Sequence, residues 1–143
     1  MRDNGPPALP PADPALEAEI VRWFEGYARA YDAFDAEGIA AHFAVPSYIL
    51  HADRGNAGFT THAALVANME RLNAINREAR CGRAAFALPR VCAFAPTLVQ
   101  ATVPWIIHDV DGAVLWQFTC TYNLFLSDAG WKIVLCTNHA PDA

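Results

Sequence analysis

His51 is the residue best suited to acid–base chemistry in this sequence. It ends the segment Ser47-Tyr48-Ile49-Leu50-His51, in which strand alternation places it on the face of Ser47 and Ile49. A histidine titrates near neutral pH and can remove a proton from a carbon next to a carbonyl if a donor stabilises the developing oxyanion. Tyr27 or Tyr122 could be that donor. We predict His51 as the base and Tyr27 as the donor; the alternative is a His51 bonded to a backbone carbonyl in a pocket wall.

Aromatic side chains are frequent enough to line an apolar pocket around these two groups. Tyr27 and Tyr31 lie in the apolar stripe of a predicted helix, where core packing with each hydroxyl bonded to one acceptor is the alternative role. Other rings fall on predicted strands. The residues that we predict to contact a ligand are Tyr31, Trp23, Trp105, Trp116, Phe118, Tyr122 and His139.

The sequence carries no recognisable metal, cofactor or nucleophile motif. The five histidines form no H-x-x-x-H or H-x-H pair, and the four cysteines form no C-x-x-C pair. No G-x-S-x-G elbow, Walker loop or dinucleotide fingerprint is present. We therefore predict no metal and no cofactor, with His42 and His62 as helix-surface or cap residues. Asp32 is expected to face solvent or to cap, and Asp35 to cap a helix.

The composition indicates one compact domain. The chain has 143 residues, of which 54% are hydrophobic and 17% charged, and its net charge is −5. That charge gives no support to a nucleic-acid or other phosphate-binding surface.

An apolar segment able to span a membrane and the h-region of a signal peptide are both missing, so a cytoplasmic location is expected. Nine arginines against one lysine, with abundant alanine, suggest GC-rich and bacterial codon usage.

Three helices are predicted in the first half of the chain. Residues 1–13 hold four of the ten prolines and should form a disordered leader ahead of a single domain over 14–143. Asp13 caps a helix over 14–34, which Pro14 opens. A short helix follows over 35–43, and a third runs over 61–79.

Strand patterns dominate the second half, after a first strand over 47–51. The segments 84–94, 97–108, 113–126 and 131–139 are rich in β-branched and aromatic residues. Asp111-Gly112 predicts a hairpin that pairs Val110 with Ala113 and Trp105 with Phe118. A second turn pairs Leu126 with Trp131, which would put Cys136 and Asn138 on the polar face and His139 on the apolar face. Pro104 predicts a bulge or an unpaired stretch.

These elements predict an α+β domain, with three helices packed on one face of a strongly curved antiparallel sheet. Its other face carries a polar ribbon, which could be solvated or could form a dimer interface; we favour a homodimer through the sheet. The ribbon consists of Gln100, Thr102, Gln117, Thr119, Thr121 and Asn123.

Several segments resemble one known superfamily. They are Tyr-Ala-x-Ala-Tyr-Asp at 27–32, Asp-Ala-Glu-Gly-Ile at 35–39, Phe-x-x-Pro at 43–46, Phe-Thr-x-Thr-Tyr-x-Leu at 118–124 and Gly-Trp-Lys-Ile at 130–133. Over about residues 14–139 the chain resembles the nuclear transport factor 2-like superfamily, in its SnoaL-like branch. The resemblance implies a cone-shaped fold with a pocket at its wide end, commonly dimeric through the sheet.

The resemblance also bears on function. Members include ketosteroid isomerases, scytalone dehydratase, polyketide cyclases and non-catalytic proteins, so the fold alone does not choose among them. Tyr27 matches the hydrogen-bonding tyrosine of the isomerases, and His51 falls where they carry an aspartate base, whereas their second oxyanion acid has no counterpart near Thr121. Tyr31-Asp32 is similar to a pair in scytalone dehydratase. These matches imply cofactor-free proton transfer on a cyclic or polyketide-like carbonyl compound; the alternative is a non-catalytic ligand-binding or dimerisation domain.

Overall fold

The computed structural model describes residues 9–139, which form three helices and seven strands. In chain order these are α1 (Pro14–Asp32), α2 (Ala36–Ala40), β1 (Phe43–His51), β2 (Gly55–Phe59), α3 (His62–Glu78), β3 (Cys81–Phe86), β4 (Arg90–Ala95), β5 (Leu98–Asp109), β6 (Val114–Ser127) and β7 (Gly130–His139). The predicted caps are present, because Asp13 accepts from Leu16 N and Asp35 accepts from Gly38 N.

The strands form one sheet in the order β2-β1-β7-β6-β5-β3, and β4 pairs with β5 further along. β1 and β7 run parallel, and the other pairs are antiparallel. The sheet curves without closing and packs its inner face on the helices, so the α+β cone predicted from the sequence is confirmed. Its core joins α1 to β5 and β6 through Ile20, Phe24, Val103, Trp105 and Leu124. Across residues 9–139, no helix combines the length and apolar character needed to cross a membrane.

The hairpin of β5 and β6 has the predicted register over most of its length. Trp105 pairs with Phe118, as predicted. At the turn the prediction is wrong: His108 pairs with Val114, and Asp109 N donates to the carbonyl of Ala113. The turn therefore contains one residue more than expected, and a bulge after Ile107 restores the register.

The faces of β7 differ from the prediction beyond its midpoint. Leu126 pairs with Trp131 as predicted, but the register shifts between Asn123 and Leu124, opposite the exposed Val134. Since side chains alternate with period 2, this one-residue shift exchanges the faces of all the later residues. Cys136 and Asn138 consequently lie on the inner face and His139 on the outer face, the reverse of the prediction.

Pro104 occupies the middle of β5 without a bulge in its pairing to Thr119 on β6. On its other side Ala87 N donates to its carbonyl at 3.0 Å, in the break between β3 and β4. The N–H and C=O of one residue in an antiparallel strand point to the same side, so the missing N–H also faces this break. The proline therefore removes no ladder hydrogen bond, and the single strand predicted over 84–94 is divided in two.

The end of the predicted leader is paired with the sheet. Ala12 N donates to Val91 O at 2.9 Å, and the carbonyl of Pro10 accepts from Ala93 N at 3.1 Å. A proline lacks a donor, but its carbonyl can still accept, and this allows the short antiparallel bridge to β4. For these residues the expectation of a frayed segment does not hold. Residues 1–8 and 140–143 lie outside the described part.

Candidate functional site

Nine rings pack together between α1 and the inner face of the sheet, and we call them the aromatic cluster. Tyr27 lies near its centre, only 3% exposed, with its ring stacked on Trp23 at 5.8 Å between centroids. Its neighbours approach edge-on or tilted, so rings surround it on several sides. The members are Trp23, Phe24, Tyr27, Tyr31, His42, Phe43, Phe86, Trp105 and Tyr122.

Two tyrosine hydroxyls and a thioether form a directed chain at one side of the aromatic cluster. The hydroxyl oxygens of Tyr27 and Tyr31 lie 3.3 Å apart, and Tyr31 donates to the sulfur of Met69 at 3.8 Å. Because each hydroxyl has one proton, the proton of Tyr31 is used on Met69, and Tyr27 must donate to Tyr31. Burial raises the pKa of both phenols above the ordinary value, so both remain neutral donors at neutral pH.

A second polar group lies on the inner face of β6 and β7. Trp105 Nε1 donates to the hydroxyl of Tyr122 at 2.9 Å, beside the hydrogen-bonded thiols of Cys120 and Cys136. The hydrogen bond from Cys136 lowers the pKa of Cys120, while the same bond and burial raise the pKa of Cys136. Both cysteines are free thiols.

Four buried side-chain polar atoms have no hydrogen-bond partner within residues 9–139: His108 Nδ1, Trp131 Nε1, Ser47 Oγ and Asn73 Oδ1. Ser47 Oγ is on β1 in a residue that is 0% exposed, and Asn73 Oδ1 is on α3 in a residue that is 4% exposed. Buried polar atoms are nearly always hydrogen-bonded, to protein or to water. Both oxygens therefore have unused capacity for a partner that is not part of the chain.

His51 lies away from the hydroxyl chain, at the end of β1. It pairs with Asn138 on β7, which in turn pairs with Cys120 on β6, so these three form a polar row across the inner face. In the described chain no hydrogen bond or ring contact joins His51 to Tyr27. One surface groove of about 470 Å³ lies beside the start of α1, and another of about 390 Å³ lies beside the β5–β6 turn. Neither His51 nor Tyr27 lines either groove. The pairing of His51 and Tyr27 on one substrate stays a prediction.

Comparison with known proteins identifies the fold family. The model of an NTF2-like protein family (DUF6841) matches residues 18–141. The chain belongs to this family. The resemblance noted in the sequence is thereby confirmed, and its SnoaL-like branch is consistent with the structural matches. A search of the curated proteins gives no match.

Solved structures show the same fold at low sequence identity. A domain of unknown function with a cystatin-like fold from Nostoc punctiforme has a TM-score of 0.72 at 16% identity, over 92% of this chain and 81% of that one. Aln2 from a Streptomyces species has a TM-score of 0.72 at 18% identity, over 90% and 93%. An NTF2-like protein of unknown function from Pseudomonas putida has a TM-score of 0.69 at 20% identity, over 90% and 89%.

The other predicted ligand residues of this NTF2-like domain are spread over its inner and outer faces. Trp105 and Tyr122 are buried in the aromatic cluster, and the half-buried Trp23 donates through Nε1 to the carbonyl of Trp131 at 3.2 Å. Trp116 is 41% exposed, close to the β5–β6 turn. Phe118 is half-buried and packs against the core. The structure thus brings together the rings on α1 with those of Trp105 and Tyr122, and leaves Trp116 outside this group.

His139 does not face the pocket side. Its Nε2 lies 3.0 Å from Thr121 Oγ1 on the outer face, because the β7 register shift reverses its direction. The predicted ligand contact of His139 relied on an inward-facing side chain, and the side chain faces outward.

Sequence reasoning missed His42, Met69 and Asn73. His42 was expected on a helix surface, whereas its ring is half-buried and contacts Trp23 and Tyr27 at 5.0 and 5.4 Å. Met69 and Asn73 are buried on α3, four residues apart and therefore on one helix face. The helical periodicity over 61–79 includes Met69 among its apolar positions, but periodicity does not distinguish a thioether that accepts a hydrogen bond from one that only fills space.

Proposed function

We propose that this NTF2-like domain binds a small cyclic carbonyl compound between α3 and the inner face of the sheet. In this proposal the ligand carbonyl accepts a hydrogen bond from the Tyr31 hydroxyl. The observation that carries the proposal is the acceptor that this hydroxyl has in the structure: the half-buried Tyr31 donates to the thioether sulfur of Met69 at 3.8 Å. A thioether sulfur is a weak acceptor, whereas a carbonyl oxygen is a strong one.

Two features favour replacement of the Met69 sulfur by a ligand carbonyl as the acceptor of the Tyr31 hydroxyl. The donor is already desolvated and oriented by the hydrogen bond from Tyr27, so little reorganisation is needed when a better acceptor arrives. Methionine is unbranched and has three rotatable side-chain bonds, which lets Met69 move aside. The surrounding rings supply the apolar contacts expected for a cyclic ligand.

Asn73 supports a second polar contact. It lies one helical turn beyond Met69, and its Oδ1 has no donor within the described residues. A ligand hydroxyl donating to this oxygen would satisfy it. This pattern favours an oxygenated ring over a hydrocarbon.

The proposal extends to catalysis through His51. As base, it would take a proton from a carbon next to the ligand carbonyl and return it elsewhere, which is cofactor-free isomerase, dehydratase or cyclase chemistry. The position of His51 on the inner face of β1 supports this role. His51→Ala should abolish turnover of any substrate found; unchanged turnover would reject the assignment and leave a non-catalytic binding domain.

Binding can be tested with a pair of probes that differ only in the carbonyl. A panel of bicyclic aromatic ketones is screened by thermal unfolding, each against the hydrocarbon of the same shape. A ketone at a hundred times its Kd should stabilise the protein by about 2.7 kcal/mol. Tyr31→Phe should weaken ketone binding about fivefold and leave hydrocarbon binding unchanged, since a hydrogen bond contributes about 1 kcal/mol.

The control is Tyr48→Phe, which removes a hydroxyl from a tyrosine that is 49% exposed on the outer face. It should change neither affinity. If no ketone raises the melting temperature, or if both probes lose affinity equally in Tyr31→Phe, the proposed binding mode is wrong.

We also propose that two copies pair through the outer face of the sheet. No helix of the described chain covers this face, and its hydroxyls are linked to each other, with Thr102 Oγ1 and Thr121 Oγ1 3.1 Å apart. Sedimentation at micromolar concentration should give twice the chain mass of 15.6 kDa, and a species of 15.6 kDa alone would contradict the dimer.

Four free thiols favour a reducing compartment such as the cytoplasm as the location.

A further inference from the structure

A notch at Gly26 on α1 brings together an arginine and a histidine. Gly26 lies within the helix, and a Cβ built on it would lie 3.7 Å from Arg29 Nη2 and 3.9 Å from His42 Nε2. Both distances are ordinary van der Waals contacts, so packing alone does not require glycine here. We call Gly26, Arg29 and His42 the Gly26 notch.

The hydrogen bond of the His42 ring determines which of its two nitrogens carries the proton. Nδ1 lies 2.7 Å from the carbonyl of Gly38, and a carbonyl can only accept, so Nδ1 carries the hydrogen. Burial lowers the pKa of His42, and the nearby Lys132 ammonium acts in the same direction. The ring is therefore neutral at neutral pH, and Nε2 offers a lone pair towards the notch.

Arg29 provides the complementary donors. Its guanidinium is permanently charged and has five N–H groups, and within residues 9–139 it forms no ion pair and no side-chain hydrogen bond. The ring of His42 is held by edge contacts with Trp23 and Tyr27, so its lone pair has a fixed direction. The notch thus presents one fixed acceptor beside a set of charged donors.

We propose that the Gly26 notch binds an oxyanion that carries its own O–H donor, of which hydrogen phosphate is the simplest. The O–H donates to His42 Nε2, and the charged oxygens accept from Arg29. The phosphodiester group of a lipid has no O–H on phosphorus, so a free anion and not a membrane is the expected ligand. The net charge of −5 argues against an extended phosphate-binding surface but does not exclude a local site of two side chains. This site shares the His42 ring with the aromatic cluster but uses neither the Tyr31 hydroxyl nor Met69.

Sulfate provides the discriminating comparison. At neutral pH hydrogen phosphate and sulfate are both dianions of similar size, but only hydrogen phosphate retains an O–H. Titration at constant ionic strength, followed through the ring resonances of His42, should show saturable phosphate binding at least about tenfold tighter than sulfate binding. Equal affinity would mean attraction by charge alone and would overturn the proposal, as would the absence of saturable binding.

Three variants locate the site. Gly26→Ala fills the notch without a clash and should weaken phosphate binding about tenfold, while the helix gains stability from the loss of a glycine. Arg29→Gln should weaken it by at least the same factor. The matched control is Arg22→Gln, which removes another exposed charge from α1 and should leave the affinity unchanged. Full affinity in Gly26→Ala, or equal losses in the two arginine variants, would place the anion elsewhere and refute the assignment.

Discussion

Removing the hydroxyls of Tyr27 and Tyr31 singly and together tests the direction of the hydrogen-bond chain from Tyr27 through Tyr31 to Met69. Tyr27→Phe leaves the oxygen of Tyr31 without its donor, but Tyr31 still donates to Met69. Tyr31→Phe removes the acceptor of Tyr27 and leaves a buried O–H without a partner. The two substitutions delete the same group from residues four apart on α1, yet their costs should differ.

The magnitudes follow from the partners that remain. Loss of one ordinary hydrogen bond costs about 1 kcal/mol, which is the expected decrease in the free energy of unfolding for Tyr27→Phe. An unsatisfied buried donor costs about 1–3 kcal/mol, so Tyr31→Phe should be the more destabilising variant. In the double variant neither phenol remains unsatisfied, and its cost should fall below the sum of the single costs by about 1 kcal/mol.

Urea unfolding followed by tryptophan fluorescence measures all four proteins on one scale. The m-values should agree, so that differences in the midpoint report stability and not a change in compactness. Costs that add to within about 0.3 kcal/mol would show that the hydroxyls do not interact. A larger cost for Tyr27→Phe than for Tyr31→Phe would show that the proton chain runs in the opposite direction.

Three further outcomes are expected. Because burial raises the pKa values of Tyr27 and Tyr31, the folded state holds these two protons more tightly than the unfolded state does. Their contribution to stability should be constant below about pH 10 and fall above it, so a titration of the unfolding free energy above pH 10 should show a smaller fall in the double Phe variant than in the wild type. Asp32→Ala should cost about 1 kcal/mol in urea unfolding, since its carboxylate accepts from the backbone N–H of Ala84 at 2.7 Å, and Asp32→Asn should recover part of this. Gly82→Ala should cost about 1–3 kcal/mol in the same assay, because its Cβ would lie 2.8 Å from a backbone carbonyl oxygen of β5; a neutral result would mean that β3 shifts freely.

The register of β5 and β6 was predictable because two independent patterns agreed. Strand alternation over 97–108 puts Trp105, Val103 and Ala101 on one face, and a short turn fixes their partners on β6. The error at Val110 did not propagate, since the bulge near the turn compensates for the longer loop. Hydrophobic alternation is the stronger constraint, because a slip would expose a whole face.

The faces at the end of β7 were not predictable in this way. Val134, Leu135 and Cys136 are all apolar, so alternation does not say which of them is skipped by a bulge. The structure skips Val134, and this directs Cys136 inward and His139 outward. A similar difficulty affected β2, whose Gly-Asn-Ala-Gly-Phe sequence carries no strand pattern, although it pairs along β1 from Ser47 to His51.

The polar contacts of the site depend on distances that the sequence does not encode. The spacing of Tyr27 and Tyr31 places both on one helix face, and this much was predicted. That Tyr31 donates to Met69, 38 residues away, depends on how α3 packs against α2. The same holds for His42, whose position between Trp23 and Tyr27 follows from the short connection after α2.

The carbonyl stretching frequency of a bound ketone tests the central claim most directly. Infrared difference spectra of the ketone with the wild-type protein, Tyr31→Phe and Tyr48→Phe report whether its oxygen accepts a hydrogen bond. We expect a lower frequency in the wild type and in Tyr48→Phe than in an apolar solvent, and recovery of the apolar-solvent frequency in Tyr31→Phe. A bound ketone whose frequency is the same in all three proteins would contradict binding through the Tyr31 hydroxyl.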